Sequence, residues 1–284
     1  MIPKIIHQIA PRNKDNWHLM WTICRESWEK NFSEFEMILW CDDDGINGID
    51  KFVEENYSQY YSYYKELDHH TMQIDFARYL ILHKYGGIYA DMDVFCYQNF
   101  YDDLNINSLC LLEGCKEGDK VENAIIAAPP NCNFFIDVIE LSFDRFYNYK
   151  NTKKKHGKKY EVEDYTLEIL GPAAFSDVYY DYYEDKVLYK GEVYIMPKSL
   201  YNMPYYTYDK SYKTKHMLTG IWGRSSLDEK IGHVLNEDKN VKESIWNEHY
   251  QNFRKINLKD FDFYTQYVIK VDQNGNETIV EYAK

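Results

Sequence analysis

Two periods of hydrophobic and polar positions alternate along the first half of the chain. The opening IPKIIHQIA, residues 2–10, is an almost unbroken apolar run behind a proline and predicts a buried strand with that proline at its edge. In WHLMWTICRESWEKNF, Trp17, Met20, Trp21, Cys24 and Trp28 recur at three- and four-residue steps, the spacing of a helix with one core-facing side. FEMILWCDDD, residues 35–44, predicts a second strand running into an acidic turn, and IDKFVEENY and SQYYSYYKEL predict two helices. HHTMQIDFARYLILHKYGG is the best helical pattern, with Thr71 expected as N-cap and Gly86–Gly87 as the left-handed stop. IYADMDVF is then expected as a strand, SLCLLEG and NAIIAAPP as two more, and CNFFIDVIELSFDRFYNY as a helix.

Strand and helix therefore alternate through about residue 140, the pattern of an α/β layered fold with a mainly parallel central sheet flanked by helices. KNTKKKHGKKYEVED, residues 150–164, is basic and poor in apolar residues and predicts a solvated loop, with contact to an anionic acceptor or membrane face as the lesser alternative. YVIKVDQNGNETIVEY near the end alternates around Asn274–Gly275, a hairpin signal. A main domain over 1–225 and a helical and hairpin extension over 226–284, packed on the same domain, are the expected units.

Composition narrows the function classes. The 284 residues suffice for one large core, and the formal net charge of −13 argues against sequence-independent binding to nucleic acid. No apolar run approaches the ~18 residues needed to cross a bilayer, and the N-terminus lacks a signal-peptide pattern, so a cytoplasmic protein is expected. The 6 cysteines form no CxxC pair and predict reduced, buried thiols. The 29 tyrosines suit sugar-contacting clefts, but an AT-rich coding sequence is the preferred account of them.

The chemistry concentrates where the best helix meets its strand. Asp91 and Asp93, two apart, project to one face of a strand or lie together on the loop beyond it. Two carboxylates so placed repel, and a divalent cation between them removes the conflict. All-oxygen ligation suits Mn²⁺ or Mg²⁺. Asp75 and Arg78 share a helix face aimed at the same crevice, at the carboxyl ends of the strands, where α/β sheets bind ligands. An arginine there offers a planar fork to phosphate, and an aspartate accepts hydrogen bonds from sugar hydroxyls.

DFARYLILHKYGGIYADMDV, residues 75–94, closely resembles the DxD-containing sugar-binding region of glycosyltransferase family 32. IPKIIHQIA is similar to that family's first strand, with Ala10 where tryptophan is usual, and WTICRESWEKNFSEFEMILWCDDD is similar to its helix and second strand. The resemblance implies a GT-A type fold and metal-dependent transfer of a sugar from a UDP- or GDP-sugar to a saccharide or lipid-linked oligosaccharide acceptor. It also implies retention of anomeric configuration, in surface polysaccharide synthesis (capsule or lipopolysaccharide), with peripheral association at the inner membrane face allowed. By the same resemblance Asp91 and Asp93 are metal and donor aspartates, and Asp75, Arg78 and Tyr89 contact the donor. His7, Gln8 and Ile9 lie near base and ribose, Asn123 and Trp222 contact the donor, and His216 completes the metal shell, with His233 and His249 as rivals. Gly171–Pro172 resembles a turn on the acceptor side. The alternatives are a non-catalytic nucleotide-sugar or carbohydrate-binding module, which needs no metal aspartates, and a protein-modifying, toxin-like transferase. A metal-dependent phosphohydrolase would need a second ligand cluster, which the sequence lacks.

Overall fold

The structure is a computed structural model. It describes residues 1–284 except 15–16, 18, 42–44, 68, 115–120, 157–161, 181–192, 203–210, 217–265, 272–276 and 283–284. The chain runs β1 (Ile5–Ile9), α1 (Leu19–Asn31), β2 (Glu36–Trp40), α2 (Ile49–Asn56), α3 (Ser58–Glu66), α4 (His70–Tyr85), β3 (Gly87–Ala90) and β4 (Val94–Cys96). It continues with β5 (Leu109–Glu113), β6 (Val121–Ala128), α5 (Phe134–His156), α6 (Val162–Ile169), α7 (Pro172–Val178), β7 (Val193–Met196), α8 (Lys198–Tyr201) and β8 (Thr214–His216). A separate antiparallel pair, β9 (Gln266–Val271) and β10 (Glu277–Tyr282), forms the expected hairpin strands, and most of the rest of 226–284 lies outside the described residues.

The central sheet has the order β2-β1-β3-β6-β5-β7. Its β1–β2, β1–β3 and β5–β7 pairings are parallel, while β6 runs antiparallel to both β3 and β5. The α/β class and the mainly parallel sheet expected from the sequence are both present. Strand alternation divides the core between two faces. Tyr89, Leu109, Leu111 and Ile126 face the layer of α2 to α7, whereas Ile6, Ile88, Ala90 and Cys110 face Trp28 and Phe32 of α1 and the β4 strand.

Three sequence expectations need correction. Thr71 is not the N-cap: α4 starts at His70, and the His69 carbonyl accepts the first hydrogen bonds, from the Met72 and Gln73 amides. IYADMDVF is not one strand, because the ladder of β3 with β6 ends in a bond from the Asp91 amide to the Ala124 carbonyl. The chain then turns, with the Val94 amide on the Asp91 carbonyl, and β4 joins β8 in a second, two-stranded sheet. Residues 150–156 are not loop but the end of α5, and 162–164 begin α6. Lysine is a good helix former, and lengthening a helix already anchored by Phe134, Phe135 and Phe146 needs no new nucleus. The acidic residues 42–44 of the expected turn after β2 lie outside the described residues.

The turn that delivers the aspartates depends on its glycines. Gly86 has φ 62° and Gly87 φ 97°, a region costly for any residue with a Cβ. A Cβ on Gly87 would also stand 2.7 Å from the Ile5 carbonyl oxygen. His7 locks the same turn: its Nε2–H donates to the Gly86 carbonyl at 2.9 Å, and its Nδ1 accepts from Trp40 Nε1–H at 3.1 Å. Burial lowers the His7 pKa to about 4, so the ring stays neutral in this tautomer. The five described cysteines, Cys24, Cys41, Cys96, Cys110 and Cys132, are buried, as expected.

Candidate active site

The site forms where β3, β6 and α4 meet the turn between β3 and β4. A break in β6 creates room for it. Leu111 of β5 pairs with Ile126, but the next residue, Leu112, pairs with Glu122, so 123–125 have no partner in β5. Bulges of this kind re-aim side chains beside active sites. Here the bulge frees the Asn123 carbonyl, which accepts from Arg78 Nη1 at 2.9 Å. It also turns the Asn123 side chain to α4, where Nδ2 donates to Asp75 Oδ1 at 3.2 Å and to Tyr79 Oη at 2.9 Å. Tyr79 in turn donates to the Leu170 carbonyl, beside the Gly171–Pro172 start of α7, at 2.7 Å.

Arg78 is the hub. Its Nη2 lies 2.9 Å from Asp75 Oδ1 and 3.2 Å from Asp91 Oδ1, and its guanidinium sits 4.6 Å from the centre of the Tyr89 ring. The Tyr89 hydroxyl donates to Asp91 Oδ1 at 2.8 Å. Asp75 and Arg78 are only 4% and 5% exposed, so their charges interact with little screening by water. Burial raises the Asp75 pKa to about 7 against the opposing pull of Arg78. Burial alone would lower the Arg78 pKa, but Asp91, Tyr89 and Asp75 together hold it above its ordinary value. Arg78 Nε is buried with no hydrogen-bond partner among the described residues, a donor held ready for a bound group.

Asp91, Asp93 and His216 form the second half. One ligand atom from each lies within 4.8 Å of the others, and His216 Nε2 is 3.3 Å from Asp93 Oδ1. The pairing of β4 with β8 sets this geometry, because Val94 stands opposite His216. Burial lowers the His216 pKa, but Asp93, Asp91 and Glu122 overcome it and raise it to about 9. A protonated imidazole thus supplies the positive charge that the two carboxylates need. A divalent cation fits in place of that proton: two carboxylate oxygens suit Mg²⁺ or Mn²⁺, and the imidazole shifts the preference toward Mn²⁺.

Asp75, Arg78, Tyr89, Asp91, Asp93, Asn123 and His216 are therefore one connected constellation. His7 is not part of it, since both ring nitrogens serve the turn behind. Ile9 is buried in the α2–α7 core, and Gln8 is buried on the opposite face of β1 with its Oε1 accepting from Arg25 at 3.1 Å. Trp222, His233 and His249 lie outside the described residues. Glu122, which the sequence reading does not single out, adds a carboxylate near His216 and accepts from Asn202 Nδ2 at 3.3 Å. Nothing in the local sequence marks it, because its direction depends on the bulge.

Residues 20–111 match the family model described as glycosyltransferase sugar-binding region containing DXD motif. The inositol phosphoceramide mannosyltransferase 1 of Schizosaccharomyces pombe is 32% identical over 34% of this chain and 29% of its own length. An uncharacterized glycosyltransferase, L373, of Acanthamoeba polyphaga mimivirus is 30% identical over 56% of this chain and 62% of its own. Among solved structures, the PaToxG glycosyltransferase aligns over 64% of this chain and 70% of that one, with 19% identity and a TM-score of 0.46. The chain thus spans 29% and 25% of the length of two of the curated relatives it matches, both fission-yeast inositol phosphoceramide mannosyltransferases. The matched segment holds the α4 aspartate and arginine, the glycine turn and the acidic pair, so the centre of this constellation lies in a region similar to the DXD-containing sugar-binding region of glycosyltransferases.

Proposed function

We propose that the protein is a GT-A type, metal-dependent glycosyltransferase that moves a sugar from a nucleotide-sugar to a hydroxyl of a saccharide or lipid-linked acceptor, with retention. The carrying observation is the juxtaposition of the Asp91–Asp93–His216 trio with the buried Asp75–Arg78–Asn123 network. The name of the Schizosaccharomyces pombe relative makes mannose the first sugar to test. Synthesis of a surface polysaccharide is the pathway this reading favours.

Asp91, Asp93 and His216 would hold the cation, which when bound supplies Lewis-acid stabilisation to a departing diphosphate. The remaining work falls to the chain's own groups. Arg78, held cationic by its carboxylate neighbours, stabilises negative charge that grows on the leaving phosphate. Asp75, fixed by Arg78 and Asn123, accepts hydrogen bonds from donor-sugar hydroxyls. Tyr89 holds Asp91 and backs the guanidinium with its ring, so the fork is oriented before substrate arrives. Retention needs no carboxylate base opposite the leaving group, because the leaving phosphate can accept the proton of the incoming hydroxyl.

A thermal-shift panel of UDP-, GDP- and CMP-sugars with and without Mn²⁺ tests the class, followed by transfer assays with the stabilising donor. One nucleotide is expected to stabilise, only with metal, and Asp93→Asn is expected to abolish both effects with the fold intact. Full transfer by Asp93→Asn would refute the assignment.

A further inference from the structure

Tyr79 follows Arg78 on α4, and its hydroxyl joins the site to the far wall of the domain. Its ring is 0% exposed and stacks on Phe175 and Phe135, with centres 5.5 and 6.2 Å away. Burial raises its pKa well above the ordinary value, so the hydroxyl keeps its proton. That proton goes to the Leu170 carbonyl at 2.7 Å, while the hydroxyl oxygen accepts from Asn123 Nδ2 at 2.9 Å. Leu170 stands at the end of α6, where its own amide and that of Gly171 both donate to the Thr166 carbonyl, at 3.3 and 3.0 Å. The group that takes the Tyr79 proton is thus held by backbone and not by a rotatable side chain.

This arrangement decides which way the Asn123 amide points. A backbone carbonyl only accepts, so Tyr79 must donate to it and has lone pairs alone left for Asn123. The end of the amide turned to α4 is therefore the NH₂ group, and Oδ1 is the other end. Asp75, the second acceptor of that NH₂ group at 3.2 Å, would not settle the orientation by itself. Burial raises its pKa to about 7, and a carboxyl there both donates and accepts near neutrality. Asn123 Oδ1 accepts no hydrogen bond among the described residues. Asn123 is as open as Asp93 of the metal trio, each 7% exposed, and it borders Asp75 and Arg78.

We propose that Tyr79 is a positioning residue: by fixing the Asn123 amide from behind, it turns a hydrogen-bond acceptor toward the donor sugar and makes the site selective for a hydroxyl there. The inference rests on the nucleotide-sugar reading and extends it to a residue that touches no substrate. A site built to accept from one hydroxyl rejects a sugar that places no proton along that direction. An amide free to flip offers either NH₂ or oxygen, and so discriminates poorly.

Titration calorimetry in Mn²⁺ buffer with UDP-glucose, UDP-galactose, GDP-mannose and GDP-glucose, and with UDP and GDP alone, separates sugar recognition from nucleotide binding. The wild type is expected to prefer one sugar over its epimer. Tyr79→Phe keeps the ring and loses the hydroxyl. In it that preference should fall about three- to tenfold, the range of one oriented hydrogen bond, with UDP or GDP affinity unchanged. Phe175→Leu removes packing from the same ring but leaves the hydroxyl, so it should lower the thermal midpoint and keep the preference. An unchanged preference in Tyr79→Phe, an equal weakening of nucleotide and nucleotide-sugar, or a loss of preference that Phe175→Leu reproduces would overturn the positioning role. A wild type that binds UDP or GDP with Mn²⁺ but tells no epimers apart sinks this inference alone. One that binds none of these ligands takes the transferase reading with it.

Discussion

At the proposed metal site, the raised pKa of His216 would set a cation in competition with a proton. A metal ligand must be neutral imidazole, whereas Asp93, Asp91 and Glu122 bring the His216 pKa to about 9 in the metal-free protein. At pH 7 the neutral form is therefore about two pH units short, and clearing the proton costs about 2.7 kcal/mol. Mn²⁺ affinity should accordingly rise about tenfold per pH unit, or about 100-fold from pH 6.5 to 8.5. Calorimetry at pH 7 in two buffers of different ionisation enthalpy should report about one proton released per Mn²⁺ bound. In His216→Gln the slope should flatten and binding should weaken, leaving the two carboxylates alone. The sign also fixes the metal-free protein's own behaviour. A His raised above its ordinary 6.5 contributes stability that is complete below that pH and is lost as pH climbs through about 9. A wild-type affinity that stays flat between pH 6.5 and 8.5, or an equal slope in His216→Gln, would refute the argument.

Three further outcomes follow from the same geometry. Arg78→Met should destabilise the fold by about 3–5 kcal/mol in chemical denaturation, because Asp75 is left buried and uncompensated, and adding Asp75→Asn should restore part of the loss. Gly87→Ala should cost more than about 1 kcal/mol, since φ is positive and the new methyl meets the Ile5 carbonyl oxygen; urea midpoints measure it. His7 stays neutral when folded, down to about pH 4, but binds a proton near 6.5 when unfolded. Stability should thus fall as pH drops from 6.5 toward 4, by about 3 kcal/mol, and in His7→Gln this segment of the pH–stability curve should flatten.

Local pattern made much of this legible. The strand at 5–9, the helix at 70–85 and the glycine stop rest on short-range periodicity and backbone chemistry, and all three stand where the sequence placed them to within three residues. Asp75, Arg78, Asp91 and Asp93 could be named because they lie within one helix–turn segment. The alternative left open by the sequence, both aspartates beyond the strand rather than on it, is the one the chain adopts. What local pattern could not reveal comes from distant pairings. Glu122 becomes part of the site through the β6 bulge, and His216 meets Asp93 through a strand pair remote in sequence. The resemblance sets His7, Gln8 and Ile9 near base and ribose, whereas the ladder turns His7 to the glycine turn and Ile9 into the α2–α7 core. The lysine-rich stretch is helical through His156 because it extends α5, whose N-terminal part is already anchored, so elongation outweighs its lack of apolar residues.

The irregularity in β6 ties the protein's chemistry to a residue count. Glu122 and Asn123 are neighbours in sequence yet serve opposite walls, one toward His216 and the other toward Asp75. Losing the codon for Ala124 or Ile125 would shift Glu122 and Asn123 by one position in register, although both of those side chains survived. Conservative replacement along this strand is thereby cheap and a change of length ruinous, so drift in the gene should be tolerated there in spelling and not in number.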